Sequence, residues 1–375
     1  MNTSLLSSLA LALACPGFLY AEAPQSLGQD AALVEMLERT GPEAPSDLVE
    51  KDRLRAMLAS LPHRRAINGS DEEFAALLRT ADLLRDHLKG LGYEVHEQEV
   101  RWSLPMRPRT DGGQDANARG VLRVSPNLWV DLPGTTRPEE VVIIGAHYDV
   151  VPGTPGADDN GSGTAAVMEL ARVLRDFPTE RTIRLQFYTA EEVGLVGAFA
   201  YAEEIARPAI ESGEETIVGM VSLDMIGYFS DEPGSQRYPA QLPEFLRMRD
   251  SADFIAAVAI APHASFHVPF MQAMAESEPD LPQLSTGMLP VAIPDMRRSD
   301  HAAFWDLGVP AIQITDTSEF RYRHYHKPTD TIDQLDFDRL TQVVQALADA
   351  TRHAAGPIEA PDGRAEPASL QEASP

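Results

Sequence analysis

Histidine and acidic side chains are concentrated at five places in the sequence. Three come directly after an apolar run, one lies within a glycine-rich turn, and one lies beyond the last apolar run. In chain order these are His147–Asp149, Asp158–Asp159, Glu191–Glu192, Asp224 and His324–His326. Imidazole and carboxylate without thiolate suit zinc or a similar divalent cation. Two cations need more than three ligands, and one carboxylate can bridge them. We therefore expect a bridged pair of metal ions held by His147, Asp159, Glu192, Asp224 and His326.

The elements that position these residues alternate between strands and helices. Apolar or alternating runs predict strands at 93–102, 121–132 (in two pieces), 141–145, 182–189, 217–223 and 309–315. Apolar residues at helical spacing predict helices at 71–89, 162–177, 195–206 and 336–354. This alternation is typical of an α/β fold with a largely parallel sheet and helices on both faces. Ligands of such sheets bind beyond the carboxyl ends of the strands, where the acidic and histidine residues occur.

The chain divides into four predicted regions. Residues 1–23 resemble a secretory signal peptide that is cleaved near Ala21 or Ala23, with lipidation of Cys15 as the alternative. Residues 24–66 are predicted to be a charged helical segment, 67–355 the main domain and 356–375 a disordered tail. Within the main domain, residues 228–299 lack regular periodicity and are expected to form loops over the site. The protein is therefore expected to be exported, to the periplasm or the medium, without a transmembrane segment.

Charge and cysteine content exclude several classes of protein. The 375 residues contain 31 Lys and Arg against 57 Asp and Glu, which gives a formal net charge of −26. Such a surface repels nucleic acid and anionic lipid, because both are bound through basic patches. Cys15 is the single cysteine, so neither an internal disulfide framework nor a multi-thiolate metal site is available. The sequence does not indicate an oligomeric state.

Six sequence blocks also resemble a known family. They are H-Y-D-V-V-P, G-A-D-D-N-G-S-G, A-E-E-V-G-L-V-G-A, L-D-M-I-G-Y, S-D-H-A-A-F-W-D-L-G-V-P-A and Y-H-K-P-T-D-T. Together, over residues 70 to 350, they resemble the co-catalytic zinc exopeptidases of the aminopeptidase Y and leucyl aminopeptidase type. The resemblance implies an α/β sandwich with a mixed central sheet and two zinc ions. One ion would be held by His147, Asp159 and Asp224, and the other by Asp159, Glu192 and His326.

The resemblance also implies roles for further residues. Glu191 matches the family's general base, which passes a proton from the attacking water to the leaving amine. Asp149 would accept the second N–H of His147 and fix its tautomer, and Tyr325 would support the oxyanion. A cis peptide bond is expected between Asp159 and Asn160. Asp158 is expected to have a turn role and His324 to be exposed. Asp300 and His301 are expected to lie behind the ligands, with a substrate contact as the alternative.

The expected activity is hydrolysis of the N-terminal peptide bond of peptides by a two-zinc metallo-aminopeptidase. Three alternatives use the same scaffold: a carboxypeptidase, a glutaminyl cyclase with one zinc ion, and a binding module without catalysis. The complete ligand set argues against the glutaminyl cyclase, and the ligand set together with Glu191 argues against the binding module. The carboxypeptidase stays open, because relatives with similar zinc blocks cleave the other end of peptides. Peptides are the expected partners.

Overall fold

Eight strands form a single sheet in the computed structural model, which describes residues 44–104, 121–240, 242, 244, 247–287 and 294–358. The spatial order is β1-β2-β4-β3-β5-β8-β6-β7, and the four central strands β4, β3, β5 and β8 are mutually parallel. On one side β2 is antiparallel to β4 and β1 to β2, and on the other β6 is antiparallel to β8 while β7 is parallel to β6. The predicted mixed, largely parallel sheet is thus confirmed. The strands are β1 (His96–Leu104), β2 (Val121–Leu132), β3 (Arg137–His147), β4 (Arg181–Tyr188), β5 (Thr216–Leu223), β6 (Ile255–Val258), β7 (Gln283–Ser285) and β8 (Ala311–Thr315).

Helices cover both faces of this sheet. In chain order they are α1 (Lys51–Ser60), α2 (Asp71–Gly90), α3 (Gly163–Val173), α4 (Val196–Tyr201), α5 (Arg207–Ser212), α6 (Ala264–Ser277), α7 (His301–Asp306) and α8 (Phe337–Ala355). Helices α1, α2, α3, α6 and α8 contribute to the larger hydrophobic cluster, while α4 and α7 contribute to the smaller one. Strand β3 serves both clusters: Val142 and Ile144 belong to the first, and Val141 and Ile143 to the second. Because both faces of β3 are buried, its residues must be apolar on both sides, which explains the continuous apolar run in the sequence.

The first long helix begins where the sequence predicts. Ser70 accepts a hydrogen bond from the Glu73 amide at 3.2 Å, and its own amide donates to the Glu73 carboxylate at 2.7 Å. This reciprocal capping box satisfies two amides that the first turn of α2 leaves unpaired. The buried side of α2 includes Leu77, Leu84 and Leu88, which recur at helical spacing.

Residues 228–299 are more regular than the sequence indicated. They contain β6, α6 and β7 in addition to loops, so the expectation of loops describes only part of this region. Strands β6 and β7 are only four and three residues long, too short for a periodic signal. Helix α6 contains Pro269, which sequence reasoning treats as a helix breaker.

Strand β2 is one continuous element of twelve residues, where the sequence suggested two pieces around Pro126. Pro126 pairs with Glu99 of β1, and the pairing of β2 with β4 starts only at Leu128. The proline therefore lies where β2 has a partner on one side alone, and its missing N–H costs no ladder hydrogen bond.

The segment before the main domain contains one short turn, Pro45–Leu48, and α1 in its described part. Leu54 and Leu58 of α1 are buried and belong to the larger cluster, so these residues are part of the core. The predicted signal peptide at 1–23, the predicted loop at 110–117 and all but the first three residues of the predicted tail lie outside the described residues. Among the helices that are described, none has the length and apolar character needed to cross a bilayer.

Candidate metal centre

Parallel strands bring the predicted residues to one edge of the sheet. His147 is the last residue of β3, Asp224 directly follows β5, and Glu191 and Glu192 start a short turn after β4. His326 lies in the loop after β8. Because β3, β4, β5 and β8 are parallel neighbours, their carboxyl ends meet at this edge.

The carboxylate of Asp159 lies between the two histidines. Its Oδ1 is 3.6 Å from Nε2 of His147, and its Oδ2 is 3.1 Å from Nε2 of His326. Asp224 lies 3.5 Å from Nε2 of His147, and Glu192 lies 3.4 Å from Nε2 of His326. The structure thus brings together all five residues that the sequence singled out as ligands.

Two sets of three side chains have ligand atoms within 4.8 Å of one another. One set is His147, Glu191 and Asp224, and the other is Asp159, Glu192 and His326. Glu191 lies 4.0 Å from His147, so it faces the first set without being needed to complete the five predicted ligands. Each set alone could hold one divalent cation.

A tightly packed turn carries Asp159 into this position. The peptide bond between Asp159 and Asn160 is cis, as the family resemblance implies. Asn160 fastens the turn to β5: its Nδ2 donates to the Leu223 carbonyl at 2.8 Å and its Oδ1 accepts from the Met225 amide at 3.3 Å. Gly156 has φ +69°, and a Cβ there would lie 2.2 Å from Val150 Cγ1, so glycine is required at this position.

Asp149 holds the turn that carries the two glutamates. Its Oδ1 accepts the Glu191 amide at 3.0 Å, and its Oδ2 accepts the Glu192 amide at 3.2 Å. Nδ1 of His147 is 3.6 Å from Oδ1 of Asp149 and 3.2 Å from its backbone oxygen. The backbone carbonyl oxygen of Asp149 is thus closer to His147 than its carboxylate is. The sequence did not indicate that the Asp149 carboxylate would accept the two glutamate amides.

Charge crowding dominates the electrostatics of the edge. Burial first, and then repulsion by Glu192, raises the pKa of Asp159 to about 6. Burial alone would lower the pKa of His326, but hydrogen bonds to Asp159 and Glu192 raise it to about 10. Burial also lowers the pKa of His147, but the nearby carboxylates of Glu191, Asp149 and Asp224 have the larger opposite effect. The pKa of His147 is therefore raised well above its usual range. Burial and nearby Glu192 also raise the pKa of Glu191. The carboxylates therefore compete for positive charge, which divalent cations can supply.

Tyr325 stacks on His326 with ring centroids 3.7 Å apart, and its hydroxyl accepts a hydrogen bond from Arg298 at 2.8 Å. His324 is half-buried and contacts the Thr329 hydroxyl at 2.8 Å, so it is less exposed than expected. Asp300 is fully buried, and neither of its oxygens has a hydrogen-bond partner within the described residues. Burial raises its pKa to about 8.

Sequence reasoning missed two buried residues that contact the Asp159 turn. Asp330 accepts the amides of Asp158 and Asp159, and Arg65 donates to the Gly156 carbonyl at 2.8 Å and the Tyr148 carbonyl at 2.7 Å. Asp330 lies inside the block Y-H-K-P-T-D-T, so its place beside His326 was an available signal. Arg65 lies in no motif and could not have been identified.

A cavity of about 710 Å³ opens beside the two sets of ligands. Its walls come mainly from the segments around 236–258, 284–286 and 313–320, which includes much of the region that the sequence expected to lie over the site. Apolar side chains form a large part of its lining, among them Leu242, Met248, Phe254, Leu284, Met296 and Phe320. This cavity can receive an apolar group next to the ligand side chains.

The comparison with protein families and curated proteins agrees with this geometry. The family model described as peptidase family M28 matches residues 127–351, more than half of the chain. The protein YfbL of Escherichia coli, described as uncharacterized, is 36% identical over 220 residues, which is 55% of this chain and 65% of YfbL. The aminopeptidase YwaD of Bacillus subtilis is 28% identical over 219 residues, 57% of this chain and 41% of YwaD. The chain thus spans about two fifths to two thirds of the length of these relatives.

Solved structures share the fold. An aminopeptidase from Aneurinibacillus sp. strain AM-1 superposes with a TM-score of 0.60 at 18% identity, covering 86% of this chain and 98% of that one. A glutaminyl cyclase from Fimbriiglobus ruber superposes with a TM-score of 0.58 at 16% identity, covering 81% and 95%. Two activities thus occur on this fold, and the side chains of the site must distinguish them.

Proposed function

Because the chain belongs to peptidase family M28, we propose that it is an aminopeptidase that hydrolyses the N-terminal peptide bond of peptides with the help of two zinc ions. The single observation that carries the proposal is the position of Asp159, which offers one carboxylate oxygen to each of two histidines at 3.6 and 3.1 Å. A bridging carboxylate is what a pair of cations needs.

The donor set fits two zinc ions. His147, Asp224 and Asp159 would hold one ion, and Asp159, Glu192 and His326 the other. All five donors are imidazole nitrogens or carboxylate oxygens, which zinc accepts. The side chains of the four donors other than His326 are at most 10% exposed, and three of them are carboxylates. Buried anions without a counter-charge are unfavourable. Two divalent cations would neutralise this charge.

Zinc, when bound, supplies Lewis-acid activation of water and of the scissile carbonyl group. Glu191 takes a proton from the attacking water and delivers it to the nitrogen of the leaving amine. Its environment suits a proton-transfer role, since burial raises the pKa of the Glu191 carboxyl well above its usual range while His147 opposes the rise. Asp149 holds the amides of Glu191 and Glu192 so that the base and the neighbouring ligand keep fixed positions. The Tyr325 hydroxyl accepts a hydrogen bond from Arg298 and donates its own hydrogen bond to the developing oxyanion.

The test is a panel of aminoacyl anilides, assayed with and without a chelator, together with the zinc content of the purified protein. We expect two zinc ions per chain and cleavage of substrates with a free amine. The same substrates with an acetylated amine should be spared. The Glu191→Gln variant should keep its zinc and lose activity by about 10²- to 10⁴-fold, the usual contribution of general acid–base catalysis.

Each alternative predicts a different outcome. Cleavage of acetylated peptides from the carboxyl end would establish a carboxypeptidase. One zinc ion per chain with cyclisation of N-terminal glutamine would establish a glutaminyl cyclase. Full zinc content without turnover of any peptide would establish a binding module.

We also propose that the protein is exported, since residues 1–23 have the composition of a signal peptide. The mass of the N-terminal peptide of the mature protein tests this. A start after Ala21 or Ala23 agrees with a soluble exported protein, and a lipid-modified Cys15 indicates anchoring. An intact Met1 contradicts export.

A further inference from the structure

Asp330 connects the loop of His326 to the turn of Asp159. Its Oδ1 accepts the Asp158 amide at 2.9 Å, and its Oδ2 accepts the Asp159 amide at 3.2 Å. Its backbone oxygen also accepts the Ala157 amide at 3.4 Å. Only 1% of Asp330 is exposed, so water does not compete for these contacts. Four residues before it in the same loop stands His326.

The hydroxyl of Tyr322 completes the contacts of this carboxylate. It donates to Oδ1 at 2.8 Å, so that Oδ1 accepts two hydrogen bonds and Oδ2 accepts one. Three donors around one carboxylate define both its position and its orientation. The two amides that it accepts belong to consecutive residues of a turn, and the second of them carries the carboxylate between the histidines.

We infer that Asp330 is a positioning residue that sets the separation of Asp159 and His326, and through it the affinity of one metal ion of the pair. The inference rests on the proposed two-zinc function. Asp159 and His326 are two of the three ligands in the set completed by Glu192. The other ion shares Asp159. Its remaining ligands are His147 at the end of β3 and Asp224 directly after β5, and neither has a hydrogen bond to Asp330 among the described residues. Loss of Asp330 therefore disturbs two ligands of the ion at Glu192 and His326, but only the shared Asp159 of the other ion.

The chemistry of the Asp330→Asn variant is well defined. An amide of the same shape keeps one acceptor oxygen and replaces the other with an NH₂ group, which only donates. If the oxygen keeps the contacts of Oδ1, the NH₂ group faces the Asp159 amide, and two donors oppose each other. The turn must then move at the residue that carries the bridging carboxylate.

Asp336→Asn is a matched control. Asp336 also accepts two backbone amides, those of Asp338 and Arg339, at 3.1 Å each. It caps the start of α8 and contacts none of the five proposed ligands. Oδ1 of Asp336 accepts both amides, and an asparagine oxygen can take its place. Asp336→Asn therefore reports the effect of removing a carboxylate charge without the loss of a backbone hydrogen bond.

The experiment titrates metal-free wild-type protein and both variants with Zn²⁺ in competition with a chromophoric chelator, which yields two dissociation constants for each protein. Replacing a residue that orients a metal ligand typically weakens metal binding by about 10- to 100-fold. We expect this loss for one ion in Asp330→Asn, and two wild-type constants in Asp336→Asn. His326→Ala identifies the affected ion, since it should retain only the ion that Asp330→Asn retains at full affinity.

Three results would overturn the inference: two wild-type constants in Asp330→Asn, an equal loss for both ions, or the same selective loss in Asp336→Asn. If Asp330→Asn does not fold, Tyr322→Phe takes its place, because it removes one hydrogen bond to Oδ1 and leaves the carboxylate. It should weaken the same ion by a smaller factor, and unchanged constants would again overturn the inference. Wild-type protein that binds one ion contradicts the proposed function itself and is recognised before any variant is measured.

Discussion

The replacement of Asp149 by asparagine tests how the base and its neighbouring ligand are held in place. Asp149 is fully buried, and its two oxygens accept the amides of Glu191 and Glu192 at 3.0 and 3.2 Å. Asparagine has the same shape but only one acceptor oxygen, so one of the two amides loses its partner.

The expected loss follows from the number of contacts. A hydrogen bond to a charged group contributes about 1.5–3 kcal/mol, and one such bond is lost. If the whole loss appears in the transition state, kcat/KM falls by about 10- to 150-fold, since each 1.4 kcal/mol corresponds to tenfold in rate.

The assay is kcat/KM on a leucyl anilide at matched zinc content. Asp316→Asn is the control, because Asp316 is equally buried and accepts the amides of Tyr228 and Ser318 at 3.0 and 2.9 Å, away from the glutamate turn. Equal losses in Asp149→Asn and Asp316→Asn, or a change of less than twofold in Asp149→Asn, would refute the reasoning.

Three further predictions concern stability, measured by urea denaturation. Arg184→Met should lower the free energy of unfolding by about 2–4 kcal/mol, because the partly buried carboxylates of Asp131 and Glu215 lose their shared partner. A loss under 1 kcal/mol would show that these ion pairs contribute little to stability. Gly156→Ala should cost about 1–3 kcal/mol through its positive φ and the contact with Val150, whereas an unchanged midpoint would show that the turn adapts. Burial lowers the pKa of the half-buried His87, so below its ordinary pKa the unfolded chain takes up a proton that the folded protein resists. Stability should therefore fall between pH 7 and pH 5 more in wild type than in His87→Gln, and equal slopes would contradict this.

The sequence predicted the site better than the region around it. The candidate ligands were recognisable because each follows an apolar strand or a glycine-rich turn, and parallel strands end at one edge whatever the detailed packing. The cis bond after Asp159 was available only from the family resemblance. The contacts of Asp149 with two amides were not predictable, because they depend on how the turn after β4 folds back.

The region 228–299 shows where periodicity fails. Strands β6 and β7 have only four and three residues, too few to show an alternation of apolar and polar side chains. Helix α6 contains Pro269, which normally indicates the end of a helix. Tertiary packing decides these elements: Phe266 and Phe270 of α6 are buried in the larger cluster, and β6 pairs with β8. Since this region lines much of the cavity, the shape of the cavity was also beyond the sequence.

Anomalous diffraction at the zinc edge, from crystals of the zinc-loaded protein, tests the central claim most directly. We expect two peaks about 3.5–4 Å apart, the usual spacing of paired catalytic metals. One should lie next to His147 and Asp224 and the other next to Glu192 and His326, with the carboxylate of Asp159 between them. A single peak, or two peaks that Asp159 does not join, would contradict the account.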